Sequence, residues 1–309
     1  HKPVSLPLLS VIFSFYNEES VLPALIERTR TACTSAVNDN LIHGYELVFI
    51  DDASNDRSGE LLQNKKLELN DIRVVRMSRR FGVSACIMAG FAQAKGHVII
   101  YMDADLQDPP ELIPQLLQTW NKERVDIVHT VRRKRLGESA FKMLLTKLGY
   151  IILNKFSDIT LPQEAGDYKL LSRRAVDHIL SLKEARPFIR GIVCWIGFKQ
   201  IFITYDRSPR FAGDTKMPIL GRKVIDNFLN SAIVCTCGAL ILIPLFLGII
   251  CLILSVTALL SGWLTGTNLL LLFLSGLQLL SLGIMGLFIN NILEQTRRRP
   301  LYIIESADA

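Results

Sequence analysis

The chain has 309 residues, half of them apolar, with 35 Lys and Arg against 29 Asp and Glu for a net charge of +6. That length exceeds one typical domain. The six cysteines show no metal-ligand spacing, which excludes a zinc module, and reduced thiols are expected.

Residues 8–15 form an apolar run that ends in Tyr16-Asn17-Glu18-Glu19, the pattern of a buried parallel strand feeding a helix, which is expected over 20–31. A second strand is predicted over 45–50 and delivers Asp51-Asp52-Ala53-Ser54, and a third over 72–77. A helix over 83–94 is expected to close on Gly96 as its C-cap. The fourth strand, over 98–102, leads into Asp103-Ala104-Asp105-Leu106-Gln107-Asp108-Pro109-Pro110-Glu111, and a fifth spans 125–130. This alternation predicts an α/β domain with an open, mostly parallel sheet. Such sheets bind ligands beyond the carboxyl ends of their strands. Three carboxylate groups fall at such ends: Glu18, Asp51 with Asp52, and Asp103 with Asp105.

No Gly-x-Gly-x-x-Gly follows the first strand and no Walker A lysine loop is present, which argues against a glycine-rich phosphate cradle. Another charge-neutralising device is required. In an extended segment, Asp103-x-Asp105 would set two carboxylates on one face about 6–7 Å apart. That pair suits Mg²⁺ or Mn²⁺ completed by substrate phosphate oxygens.

Phe141, Leu144, Leu145, Leu148, Ile151 and Ile152 recur at helical spacing among Lys142, Lys147 and Lys155. They predict an amphipathic helix over about 138–157, lying in a membrane interface or packed on the sheet. Lys142 and Thr146 stand one turn apart, a spacing suited to a shared lipid phosphate. Residues 227–293 contain no Asp, Glu, Lys, Arg or His across 67 positions. With a juxtamembrane segment over 218–230, this predicts two transmembrane helices within 231–293, near 231–260 and 268–293, joined by a Gly-rich turn at 261–267. Arg222, Lys223 and Arg297-Arg298-Arg299 flank the pair. Positive flanks place the domain 1–217 and the tail 294–309 in the cytoplasm, with no signal peptide expected ahead of the first strand. Glycines within the spans favour a homo-oligomer.

The segment from Asp103 to Glu111 resembles the signature of family 2 glycosyltransferases of the polyprenyl-phosphate, dolichol-phosphate mannose synthase-like branch. Phe15-Tyr16-Asn17-Glu18-Glu19, Asp51-Asp52-Ala53-Ser54-Asn55-Asp56, Phe81-Gly82 through Ala89-Gly90 and Ala165-Gly166-Asp167-Tyr168-Lys169-Leu170 resemble its other motifs. So do Arg190-Gly191, Trp195-Ile196-Gly197 and the run from Arg210 through Gly213 to Thr215-Lys216. The two spans suit the bactoprenol glucosyltransferase subgroup. Ser14 departs from the family's usual Pro, and Met217 from a frequent aromatic.

The resemblance implies a GT-A fold and an inverting transfer of a sugar to polyprenyl (undecaprenyl) phosphate at a bacterial inner membrane. UDP-glucose is the first expected donor, with GDP-mannose, UDP-N-acetylglucosamine and UDP-aminoarabinose-type donors as alternatives. It implies donor binding by Ser14, Phe15, Tyr16, Glu18, Asp52, Ser54 and Asp103. The metal would fall to Asp103, Asp105 and Gln107, and catalytic roles to Asp105, Asp167 and Arg132. Arg132, Lys142, Thr146, Arg210 and Lys216 would bind the acceptor or phosphate. A phosphate monoester is largely dianionic at neutral pH and needs no strong general base. The expected partners are therefore a nucleotide sugar, a polyprenyl phosphate and the bilayer, and not nucleic acid. A processive polysaccharide synthase is the first rival, but Trp120, Trp195 and Trp263 all lack its Gln-x-x-Arg-Trp context. A non-catalytic membrane scaffold or flippase partner is the second, and the intact carboxylate clusters argue against it.

Overall fold

The protein is described here by a computed structural model covering residues 6–132, 165–206 and 267–307. In β1 (Leu8–Phe15), period-two alternation turns Leu9, Val11, Phe13 and Phe15 to one face of the sheet and Ile12 to the other. α1 (Leu22–Asn38) covers the first face with Leu22, Leu25, Ile26, Thr29, Ala32, Cys33 and Ala36, a stripe at helical spacing. The strand–helix unit repeats through β2 (Gly44–Asp51), α2 (Ser58–Glu68), β3 (Ile72–Met77), α3 (Val83–Gln93) and β4 (Val98–Asp103). α4 (Ile113–Glu123) and β5 (Ile127–Arg132) follow, then β6 (Ala165–Ser172), α5 (Arg173–Ser181), α6 (Ile189–Trp195) and β7 (Gln200–Tyr205).

Among the described residues eight strands form one sheet in the order β7-β5-β6-β4-β1-β2-β3-β8, where β8 is Ile304–Ala307. β4, β1, β2 and β3 run parallel, as do β5 and β7. β6 lies antiparallel between β4 and β5, and β8 lies antiparallel on the β3 edge. One core layer sits under α1 and α4, and the other under α3, α5 and α6. The expected strands over 8–15 and 72–77 match, and the remaining three move by one or two residues.

Gly96 does not cap α3, which ends at Gln93 with Ala94 already extended. Glycine is required there because a Cβ would stand 2.6 Å from the Ser10 nitrogen and 2.9 Å from the Val98 carbonyl oxygen. The Gly96 N–H donates to Ser10 Oγ at 2.8 Å, and that hydroxyl donates to Glu46 at 2.5 Å. Glu46 also accepts from the Lys95 N–H and from Arg73. This buried network ties β1, β2 and β3 together near the amino ends of β1 and β2.

α7 (Thr267–Thr296) is 30 residues long and overlays the expected second span. Several of its side chains, the expected first span and the helix over 138–157 lie outside the described residues. Among the described residues no helix is long and apolar enough to cross a membrane.

His129 on β5 is fully buried, stacked on Phe202 and bonded through Nε2 to Gln200 at 2.7 Å. Burial, reinforced by the Lys169 charge, pulls its pKa down to about 4 from 6.5. Between these values the unfolded chain binds more protons, so stability is complete above pH 6.5 and is lost as pH falls towards 4, by on the order of 3 kcal/mol. His129→Leu is expected to flatten that limb when urea midpoints are compared at pH 4.5 and 7.5.

Candidate active site

The carboxyl ends of β4, β1 and β2 stand side by side, with Ser14 paired in register to both Ile50 and Asp103. Each connection leaving β1 to β4 on this edge contains a residue at positive φ: Asn17 (54°), Ala53 (57°), Gly82 (95°) and Leu106 (57°). For Ala and Leu that conformation costs roughly 1–3 kcal/mol, and it persists only where the surroundings enforce it.

Hydrogen bonds between the first two loops do the enforcing. The Asn17 N–H donates to Ser54 Oγ at 3.0 Å, Glu18 N–H to Ser58 Oγ at 3.1 Å and Glu19 N–H to Asp56 at 3.3 Å. In return Asn55 N–H donates to Asn17 Oδ1 at 2.8 Å, and Arg57 N–H to Glu19 at 3.0 Å. Asp52 closes the third side, accepting from the Phe81 N–H at 2.7 Å and the Gly82 N–H at 3.0 Å. Tyr16 carries the Arg80 guanidinium 4.0 Å over its ring.

Phe15, expected in the donor set, turns its side chain into the core. Its side chain is 5 % exposed and packs edge-on against Phe49, so the sheet alternation that buries Phe13 buries Phe15 too. Its carbonyl stands at this edge and accepts from the Asp52 N–H at 3.0 Å. Ser14 and Tyr16 are half-buried, whereas Glu18, Asp52 and Ser54 are buried within the laced loops.

Asp103 ends β4, but Asp105 does not continue the strand. Contrary to the extended geometry expected, 104–105 is a turn, and Asp105 Oδ1 accepts the Gln107 N–H at 3.1 Å. Buried Asp108 accepts a short hydrogen bond from the Tyr205 hydroxyl, anchoring this loop to the end of β7. β6 carries Asp167, whose two oxygens accept a guanidinium fork from Arg190 on α6, Nε at 2.6 Å and Nη2 closer still.

Asp103 feels all of this charge. Burial raises its pKa, and the neighbouring Asp167, Asp105 and Asp108 raise it further, to about 7, with Arg190 pulling the other way. Such crowding is what a bound cation would relieve. Among the described residues no cluster of three or more His, Cys, Asp or Glu suffices to hold a metal ion. Asp103 and Asp105 still fit Mg²⁺ or Mn²⁺, which commonly take one or two carboxylates plus substrate phosphate oxygens. Gln107 is half-buried in the same turn.

Arg132 ends β5 opposite Tyr205, with its side chain outside the described residues. Lys142, Thr146, Arg210 and Lys216 also lie outside them. Residue types alone gave no role to Arg80, to Arg190 as the partner of Asp167, or to Lys169. Lys169 is fully buried, pairs in register with Tyr101 and His129, and has its ammonium 6.0 Å over the Tyr101 ring. Burial lowers its pKa to about 8 against the opposing pull of Asp167.

The Glycosyl transferase family 2 model matches residues 10–180. The uncharacterized glycosyltransferase YkcC of Bacillus subtilis is 37% identical, over 96% of this chain and 93% of its own length. The chain belongs to glycosyl transferase family 2. The Photorhabdus laumondii undecaprenyl-phosphate 4-deoxy-4-formamido-L-arabinose transferase is 32% identical over 96% of this chain and 93% of its own length. The Escherichia coli prophage bactoprenol glucosyl transferase homolog is 29% identical over 96% and 98%. The chain also resembles Mycobacterium tuberculosis glucosyl-3-phosphoglycerate synthase, solved with Mn²⁺, UDP-glucose and phosphoglyceric acid. That likeness has a TM-score of 0.50 at 17% identity and covers 73% of this chain and 80% of that one. It bears on the fold, a GT-A-like α/β sheet.

The Asp167–Arg190 fork generates a prediction. Arg190→Met leaves Asp167 without its guanidinium beside Asp103 and is expected to lower stability at pH 8 by about 1–3 kcal/mol. Arg190→Lys is expected to recover only part, because an ammonium cannot form the fork. Chemical denaturation of both variants checks this.

Proposed function

We propose that this family 2 glycosyltransferase moves a sugar from a nucleotide donor onto polyprenyl phosphate with inversion, with UDP-glucose as the first donor to test. The observation that carries the reading is the crowded carboxylate group of Asp103, Asp105 and Asp167 on the sheet's carboxyl edge. It occurs in a chain that matches, over nearly its whole length, relatives named for bactoprenol and undecaprenyl phosphate. The arabinose-type name among them keeps a UDP-aminoarabinose-type donor as the second reading.

In this reading Ser14 at the end of β1 and the loops carrying Tyr16, Glu18, Asp52 and Ser54 form the wall on which the nucleoside lies. Arg80, stacked on Tyr16, adds positive charge to that wall. A divalent cation held by Asp103 and Asp105, with Gln107 beside them, would supply charge to the departing diphosphate. Asp167, fixed by Arg190, orients groups at the sugar. Arg132, Arg210 and Lys216 neutralise the two anionic reactants, and Lys142 with Thr146 holds the lipid phosphate.

The acceptor requires access to lipid. We assign 231–293 to a transmembrane hairpin in a bacterial inner membrane, with the domain 1–217 and both ends cytoplasmic, 138–157 interfacial, and the assembly homo-oligomeric. On α7, Leu271, Leu282, Met285, Ile289, Ile292 and Leu293 stand exposed, an apolar surface that favours burial in lipid or against another copy.

Membranes incubated with labelled UDP-glucose and polyprenyl phosphate are expected to yield a lipid-linked sugar. Chelation should stop the reaction, and Mg²⁺ or Mn²⁺ should restore it. Asp103→Asn with Asp105→Asn is expected to cut the rate by at least about 100-fold. Synthesis at full speed in the double variant would sink the proposal.

A further inference from the structure

The segment following α7 returns to the sheet and touches the loop that the functional reading assigns to the donor. Only seven residues separate Thr296 from Ile304. Across that short link the Ile303 carbonyl accepts from the Ser78 N–H at 3.0 Å. Leu301, Tyr302 and Ile304 pack on the core layer under α3. β8 pairs with β3, placing Ser306 opposite Arg76, with an irregularity between Arg76 and Met77.

Arg76 is the point where tail and loop meet. Its Nε donates to Glu305 at 3.0 Å, Nη1 to Asp51 at 3.1 Å and Nη2 to the Ser54 carbonyl at 3.4 Å. Asp51 is 1 % exposed and accepts the Ser54 N–H at 2.7 Å, so the guanidinium and the loop share one buried carboxylate. Gly59, at the start of α2, leaves room for it: a Cβ there would lie 3.3 Å from Arg76 Nη1. α7 is attached to the domain a second time through a bidentate pair between Arg186 and Glu294.

The geometry points to a positioning role for Arg76 and the strand 304–307. Together they hold the loop 51–58 in its donor-binding form and link that form to the end of α7. An isolated surface ion pair such as Arg76–Glu305 contributes little. Here the pair is one of several contacts, alongside strand pairing and packing, so the loop responds to the whole segment. This inference rests on the donor role proposed for that loop.

Hydrogen exchange of the 309-residue chain and of a chain lacking 303–309 tests it, with donor KM and kcat measured for UDP-glucose. Amides 53–58 are expected to exchange about tenfold faster without the tail, with KM raised about tenfold, kcat within twofold and the β4 amides still protected. If the β4 amides also lose protection, Glu305→Arg with Ser306→Pro, which keeps residues 301–304 but removes both the ion pair and the strand pairing beside Arg76, becomes the deciding variant. Unchanged exchange at 53–58, or an unchanged KM, in the deciding variant overturns the coupling. Should the wild-type protein turn over no nucleotide sugar, the functional reading falls, and the exchange at 53–58 alone decides whether the tail holds the loop.

Discussion

The site depends on an electrostatic imbalance: Asp103, at the tip of a fully apolar strand, shares its surroundings with Asp105, Asp108 and Asp167. Unit like charges about 6 Å apart repel by roughly 3 kcal/mol at the effective dielectric typical of proteins. The fold meets part of that cost internally. Arg190 forks onto Asp167, and the Tyr205 hydroxyl donates to Asp108. Asp103 itself is left to share a proton or to meet a cation. A carboxylate pair that is uncomfortable alone gains most from a metal and a diphosphate arriving together.

The antiparallel β6 makes this arrangement possible. Inserted between β4 and β5, it presents Asp167 next to the end of β4, although the two aspartates are 64 positions apart. A purely parallel sheet would have placed a loop there instead. On the other side of β4 the loops after β1 and β2 bind one another mainly through backbone N–H groups and short Ser, Asn and Asp side chains. Those residue types favour local turns over regular structure, so the loops are fixed without adding bulk where a ligand would sit.

What was legible in the sequence follows from how local the signal is. β1 and β4 could be read because strands buried on both faces appear as continuous apolar runs, and β2 and β3 because short apolar runs surround Glu46, Arg73 and Arg76; their carboxyl ends set where Glu18, Asp52 and Asp103 would lie. Side-chain direction was less accessible. A motif match treats Phe15 and Tyr16 as equivalent neighbours, yet alternation sends one into the core beside Phe49 and leaves the other under Arg80. Gly96 reads locally as a helix stop, but its reason is a contact with Ser10, 86 positions away. The Asp167–Arg190 pair and the Arg76 contacts are likewise long-range, and no spacing rule announces them.

The fork on Asp167 also bears on the chemistry proposed. A general base must present a free lone pair to the proton it takes, and the Arg190 fork occupies one site on each Asp167 oxygen of the roughly four that a carboxylate offers. Were the acceptor a sugar hydroxyl, a base would have to take its proton as it attacks. A phosphate monoester arrives mostly deprotonated and asks only for alignment and charge. A carboxylate clamped by a guanidinium is held in one orientation. In the proposed reading Asp167 orients groups for an acceptor that brings its own nucleophilic oxygen, as a lipid phosphate does.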